Sequence, residues 1–232
     1  VKAQTTERPP AGRAAALAFD PACRRCPRLA AHLDGVRAAF PAYHAAPVPS
    51  FGDPAARLLI VGLAPGMHGA NATGRPFTGD HAGILLYATL HRLGLASGPE
   101  SRSADDGLRL FDCRIANAVK CLPPQNKPTP AEVRGCNGFL AAELDGLAAG
   151  STVLALGRIA HGSVLTACGL PQSSRPFAHG AEHDLPGGLR LFDSYHCSRY
   201  NTQTRRLTEP MLRAVFERAA ARLGGEGERA GI

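Results

Sequence analysis

The chain has 232 residues, 44% of them apolar and 19% charged, enough for a core that needs no disulfide staples and without the run of ~20 apolar residues a membrane span requires. Global disorder and membrane spanning are excluded by this balance. Lysine plus arginine outnumber the acids 26 to 19, for a net charge of +7, which favours a polyanion as partner. The cations are almost all arginine, with lysine only at Lys2, Lys120 and Lys127; the planar guanidinium fork suits phosphates and base edges.

The opening VKAQTTERPPAGR is polar and proline-containing, without a secretory pattern. Residues 1–12 and 225–232 lack periodicity and are expected to be flexible tails around one domain at 13–224. A helical segment, DPACRRCPRLAAHLDGVRAAF (20–40), comes first. Four β-rich runs then alternate with helical ones: RLLIVGLA (57–64), helix 82–94, RIANAVKC (114–121), helix 130–147, TVLALG (152–157), helix 158–170, LRLFDSYH (189–196) and helix 208–224. Continuous apolar strands imply burial on both faces and a parallel sheet, so the fold class is α/β, a three-layer α/β/α sandwich on a central four-stranded parallel sheet. Thr129-Pro130 and Thr208 read as helix starts, and Gly94, Gly169 and Gly224 as stops.

In such a sheet ligands sit beyond the carboxyl ends of the strands. The first strand exits into GLAPG (62–66), a glycine-rich turn whose N–H groups can approach a ligand; it is neither a Walker loop nor a G-x-G-x-x-G fingerprint. Arg75, Phe77 and Asp80 follow: a cation, a ring and a carboxylate. Asn117 lies inside the second predicted strand, whose exit is Cys121, and a polar side chain there needs a partner, ligand or backbone. The seven cysteines, an odd count with a C-x-x-C pair, point to a reducing compartment and to metal or redox chemistry ahead of disulfides. Cys23 and Cys26 with Cys121 and Cys136 make four soft ligands, suited to zinc or an iron–sulfur cluster. Cys113, Cys168 and Cys197 are left over, Cys168 as a core cysteine.

Three motifs, GLAPGMHGANATGRPFTGD (62–80), NAVKCLPPQNKPTPAEVRGC (117–136) and SYHCSRYNTQTRRLT (194–208), resemble in order the uracil-DNA glycosylase superfamily, most closely family 5, the B-type enzymes. The resemblance runs from about Cys23 to Met211. It implies an α/β/α fold with a four-stranded parallel sheet, a [4Fe–4S] cluster on Cys23, Cys26, Cys121 and Cys136, and removal of uracil from DNA. Leu63 stands where the family 4 pattern GEAPG carries glutamate, which favours family 5.

A glycosylase takes the nucleotide out of the stack before it reaches the glycosidic bond. The resemblance implies a pocket of Gly62, Ala64, Gly66, Phe77, Asn117 and His196: Phe77 stacks on the base, Asn117 pairs with its edge, and His196 with the 62–66 N–H groups stabilises the charge on the departing ring. Asp80 is the carboxylate placed to hold the attacking water, with helix capping as its simpler role. Ser198, Arg199, Tyr200 and Asn201 occupy the wedge segment, and Arg205 and Arg206 are candidate phosphate contacts. His68 either lines the pocket or makes a loop hydrogen bond. No lysine sits in a motif position to form a Schiff base, Lys120 being the nearest exception, so the enzyme is expected to be monofunctional. Tolerance of other deaminated bases such as hypoxanthine is implied too. The expected partner is DNA carrying such bases, with no membrane, for a monomer in the bacterial cytoplasm, associated with the nucleoid. Two alternatives are a non-catalytic iron–sulfur module that binds damaged DNA, and a crosslinking relative that traps the sugar on its histidine; the latter carries an inserted basic loop not seen here.

Overall fold

The four apolar runs form the parallel centre of one sheet: β2 (Leu58–Gly62), β3 (Cys113–Asn117), β4 (Thr152–Leu156) and β6 (Arg190–Ser194). The computed structural model describes residues 15–224, so the tails expected at 1–12 and 225–232 lie outside the described residues. Two short strands, β1 (Phe51–Gly52) and β5 (Glu182–Asp184), add antiparallel edges, giving the order β1-β3-β2-β4-β6-β5. The expected four-stranded parallel sheet is thus the centre of a six-stranded mixed one.

Burial alternates along each central strand. Leu58, Ile60, Ile115, Leu154 and Phe192 face a layer formed by α3 (His81–Arg92) and α7 (Glu209–Gly224). Leu59, Val61, Ala116, Val153 and Leu191 face α4 (Pro130–Asp145) and α5 (Arg158–Ala167). With every central strand buried on both sides, three layers result. The chain moves from β2 outward to β3 and then crosses back to β4 on the other side of β2, so a crevice opens at the carboxyl ends of these three strands.

The predicted second strand stops earlier than its apolar run. It ends at Asn117: the Ala118 amide still bonds the Gly62 carbonyl of β2, but the next amide, Val119, bonds the Leu63 carbonyl, both at 2.9 Å, which breaks the every-other-residue alternation of a ladder. Cys121 is therefore not a strand exit: residues 118–121 form a bend that carries Cys121 away from the sheet. Ahead of the sheet, α1 (Pro27–Ala39) starts with Cys26 as N-cap and Pro27 in the first turn. α4 starts with a capping box between Thr129 and Glu132. Arg28 donates twice to Glu132, each bond 2.7 Å, and ties the two helix starts together. Gly94 and Gly169, both at positive φ, follow the last residues of α3 and α5.

Candidate functional site: a base-sized cavity and a cysteine cluster

A cavity of about 360 Å³ opens at the crevice, lined by residues that include Ala64, Gly66, Phe77, Asp80, Asn117 and His196. Gly62 is not among the lining residues but makes room for them by what it lacks: a Cβ there would come within 2.5 Å of Asn117 Oδ1 and 2.7 Å of the Phe77 ring. Asn117 is 3% exposed, and its Oδ1 has no hydrogen-bond partner among the described residues. A buried amide oxygen left unpaired costs about 1–3 kcal/mol unless a ligand satisfies it.

Phe77 is buried with φ at 55°, a left-handed conformation that a bulky residue adopts only when its surroundings enforce it. The enforcement is visible on both flanks. The Arg75 guanidinium bonds Asp106 at 2.6 Å and Ser101 at 3.1 Å, Thr78 Oγ1 meets Ser101 Oγ at 2.7 Å, and the Tyr87 hydroxyl donates to the Pro76 carbonyl at 2.7 Å. The ring is thereby held 5.9 Å from that of His196, at an interplanar angle of 28°.

Asp80 is the N-cap of α3, its Oδ1 accepting from the Gly83 amide at 2.9 Å. Oδ2 lies against the 66–69 turn, where a Cβ on Gly69 would approach it to 2.8 Å. The capping role and a place in the cavity wall coexist in one side chain. Burial raises its pKa above the usual carboxylate value, partly offset by the amides of Gly83 and Ala82. Burial also pushes His196 down to about 4, so its imidazole is neutral at pH 7. No described residue hydrogen-bonds the His196 ring, while its carbonyl accepts from Asn201 Nδ2 at 2.8 Å.

The segment expected to be the wedge is a short helix, α6 (Arg199–Gln203), capped by Ser198, whose hydroxyl accepts from the Asn201 amide at 3.3 Å. Ser198 also lines the cavity. Asn201 points inward at the His196 carbonyl, whereas Tyr200 is 70% exposed and Arg199 and Arg205 are exposed. His68 Nδ1 pairs with the Tyr43 hydroxyl at 2.8 Å and is not among the cavity-lining residues, so of its two expected roles the loop hydrogen bond is the one present. Asn126, from the PPQNKP loop, does line the cavity. No motif logic singled it out; its positive φ of 57°, which turns it inward, is a backbone property that the letters do not display.

Cys23, Cys26, Cys121 and Cys136 line a second, small cavity between α1 and α4, packed among Leu29, Val119 and Phe139. The Lys120 amide donates to Cys136 Sγ at 3.3 Å. Burial and the neighbouring thiols push Cys121 up to about 12 and Cys136 up to about 11. Cys136 is buried and the other three are half-buried; four thiols lining one small cavity are a soft donor set, the kind that fits a thiolate-bound metal centre. Lys120 lies here and not in the base-sized cavity; it is 2% exposed, with Nζ donating to Ser50 Oγ at 3.1 Å. Cys113 and Cys197 are buried in the core among apolar side chains.

A separate cluster of His161, His183 and Asp193 is accounted for without an ion. Both ring nitrogens of His161 face acceptors, Asp193 Oδ1 and the Arg175 carbonyl, each at 2.8 Å, and its pKa is raised; burial, which opposes ionisation, is outweighed by Asp193. Both contacts are ones an imidazole can donate, and they tie the 171–178 loop to β6.

The matched family accords with this geometry. The family model of the Uracil DNA glycosylase superfamily matches residues 49–220, and the chain belongs to that superfamily. Its similarity is to the type-5 branch: it is 52% identical over 209 residues to the type-5 uracil-DNA glycosylase of Thermus thermophilus, covering 88% of this chain and 94% of that one. It is 45% identical to the type-5 enzyme of Mycobacterium tuberculosis, over 88% of this chain and 78% of that one. The type-5 enzyme of Pyrobaculum aerophilum is 43% identical, over 87% and 89%. Among the described residues no helix is long and apolar enough to cross a membrane.

Proposed function

We propose that this chain is a monofunctional DNA glycosylase that flips uracil out of DNA and hydrolyses its N-glycosidic bond, leaving an abasic site with the strand intact. The observation that carries the reading is the unpaired Asn117 amide oxygen in a cavity between a strained phenylalanine and a neutral histidine. Uracil offers an N3–H donor beside carbonyl acceptors, so its edge pairs with an amide and its face covers a ring.

Each group then has one task. Phe77 takes the base by its face and Asn117 by its edge. Bond cleavage moves negative charge onto the ring, and the neutral His196 donates an N–H to the oxygen that receives it, with N–H groups of the 62–66 turn as further donors. Because the imidazole is already neutral and desolvated, it donates a hydrogen bond without giving up a proton. The sugar becomes cationic as the base leaves, and Asp80 Oδ2 holds the water that attacks it. No lysine among the cavity-lining residues is placed to trap the sugar, since Lys120 is enclosed beside the cysteines; the product is an abasic site and not a nick.

The four cysteines hold a [4Fe–4S] cluster, which when bound supplies a rigid covalent brace between α1 and the 118–136 segment. That segment carries Asn126 into the base cavity, so bracing it fixes one wall of the site. On the outer surface, Tyr200 is the exposed ring placed to enter the gap left by the flipped base, with Arg199 and Arg205 beside it for phosphates. The protein acts as a monomer, with the domain at 13–224 carrying the whole activity, in the bacterial cytoplasm beside the nucleoid. Other deaminated bases that keep a carbonyl next to a ring N–H, hypoxanthine included, fit the same amide.

End-labelled duplexes carrying uracil, hypoxanthine or thymine opposite guanine test this reading. Breaks at uracil and hypoxanthine only after alkali are expected. Tight binding to the same duplexes without breaks would instead favour a damage-binding iron–sulfur module.

A further inference from the structure

His196 has to aim a ring that no described residue hydrogen-bonds, so its direction is inherited from the peptide on either side. Downstream, its carbonyl accepts from Asn201 Nδ2 at 2.8 Å. Upstream, β6 runs out at Ser194, whose carbonyl accepts from the Gly157 amide at 2.8 Å. Tyr195 is the one residue between that strand and His196. On the β5 side of β6, the Asp193 amide donates to the Ala181 carbonyl at 3.0 Å and the Asp193 carbonyl accepts from the Gly180 amide at 2.8 Å. Ladder amides on one edge recur every second residue, so the Tyr195 amide is next. The opposing chain has turned back on itself there, the Ala181 amide bonding the Ala178 carbonyl at 3.0 Å. The Tyr195 amide donates to a side chain instead, His179 Nδ1, at 3.2 Å. An imidazole thus continues the ladder by one rung, immediately before His196.

An amide N–H aimed at Nδ1 requires the lone pair there, so the neutral ring carries its proton on Nε2. Burial lowers the pKa of His179, which favours that neutral form. The neighbouring hydroxyl is compatible with it: Ser194 Oγ, 3.4 Å from the same nitrogen, donates to the Tyr195 carbonyl at 3.0 Å. The His179 ring also stacks on that of Tyr195, with centroids 5.0 Å apart at 16°. The ring therefore has two separable contacts with one residue, an acceptor for its amide and a face for its side chain.

We propose that His179 is a positioning residue for the reaction: its Nδ1 fixes the Tyr195 peptide and thereby the direction in which His196 donates to the departing base. The proposal rests on the glycosylase reading, in which His196 is that donor, and extends it to a residue that does not line the base cavity. A hydrogen bond to developing charge depends on direction, and a misplacement of about 1 Å can cost about 10²-fold in rate. Phe77 and Asn117 hold the base from other elements, so loss of the His179 contact weakens the chemical step more than binding.

Two substitutions divide the contacts. His179→Asn keeps an acceptor near the position of Nδ1 and drops the ring, whereas His179→Phe keeps a ring on Tyr195 and drops the acceptor. The assay is uracil release from a duplex by the full-length metal-loaded protein. His179→Phe is expected to lower kcat roughly tenfold with KM within about twofold, and His179→Asn to stay within about threefold of the wild-type kcat. In a His196→Ala background, His179→Phe should cost nothing further, because the group it positions is gone. Amide hydrogen exchange reads the contact without turnover: the Tyr195 amide should exchange roughly tenfold faster in His179→Phe and keep its protection in His179→Asn, with the amides of β4 unchanged in both. Loss in His179→Asn with His179→Phe at the wild-type rate would assign the effect to the stacked ring and overturn the proposal. An equal loss from His179→Phe with and without the His196 imidazole, or unchanged kcat in both variants, would overturn it too. Absence of uracil release by the wild type is failure of the glycosylase reading itself; wild-type release with any of those patterns is failure of the His179 proposal alone.

Discussion

The rings of Phe77 and His196 face each other at 5.9 Å and 28° across the base cavity. Ring centroids at this distance and angle are those of an offset-stacked pair. In the proposed complex Phe77 takes the face of the base and His196 its edge. A histidine at the edge can donate to a ring oxygen. His196→Ala is therefore expected to lower kcat roughly 10²–10³-fold with a much smaller change in KM, read in single-turnover assays. An equal loss in KM alone would mean that the ring only binds.

Asp80 combines a helix cap and a carboxylate, and the two are separable. Asparagine caps helices as well as aspartate but carries no charge, so Asp80→Asn should keep the thermal midpoint within a few degrees while losing about 10²-fold or more in kcat. Asp80→Ala should add a stability loss of about 1 kcal/mol. Full activity in Asp80→Asn would reduce the residue to its cap.

Acid should destabilise the fold through His196. Its folded pKa is about 4 against 6.5 for the free side chain, so the unfolded chain binds the extra proton between those values. Stability from this group is intact above pH 6.5 and falls as pH drops towards 4. His161 has the opposite sign, since Asp193 raises its pKa: its contribution is full below 6.5 and is lost as pH rises through the folded value. Thermal midpoints should show His161→Gln costing more at pH 6 than at pH 9, and His196→Asn blunting the decline from pH 6.5 to 4.

The cysteine centre predicts a colour. Protein purified without air should be brown with visible absorbance, and Cys136→Ser should lose both colour and stability. A colourless, zinc-replete protein from anaerobic growth would contradict the cluster.

What was legible in the sequence was what repeats locally. The β-rich runs around 58–62, 152–156 and 190–194 marked central strands, and Thr129-Pro130 and the glycines after α3 and α5 marked helix ends. β5 was invisible because Glu-His-Asp has no apolar pattern and pairs only along one edge of the sheet. The end of β3 was misplaced because Ala118 and Val119 continue the apolar run while their consecutive amides both bond the β2 chain and so break the ladder's alternation. In the site, Asn117 stood out as a polar residue in an apolar strand. The Arg75–Asp106 link that holds Phe77 did not, since it joins positions whose proximity only the fold creates. Cys23 and Cys26 were an obvious pair, but their meeting with Cys121 and Cys136 depends on how α1 docks on α4.

The most direct test of the central claim measures free uracil released from a uracil-containing duplex in a single turnover, by the wild-type protein and by Asn117→Ala. The account predicts release by the wild type with the strand left intact, and release at least tenfold slower once the amide is gone. Binding without release, or equal rates in both proteins, would contradict it.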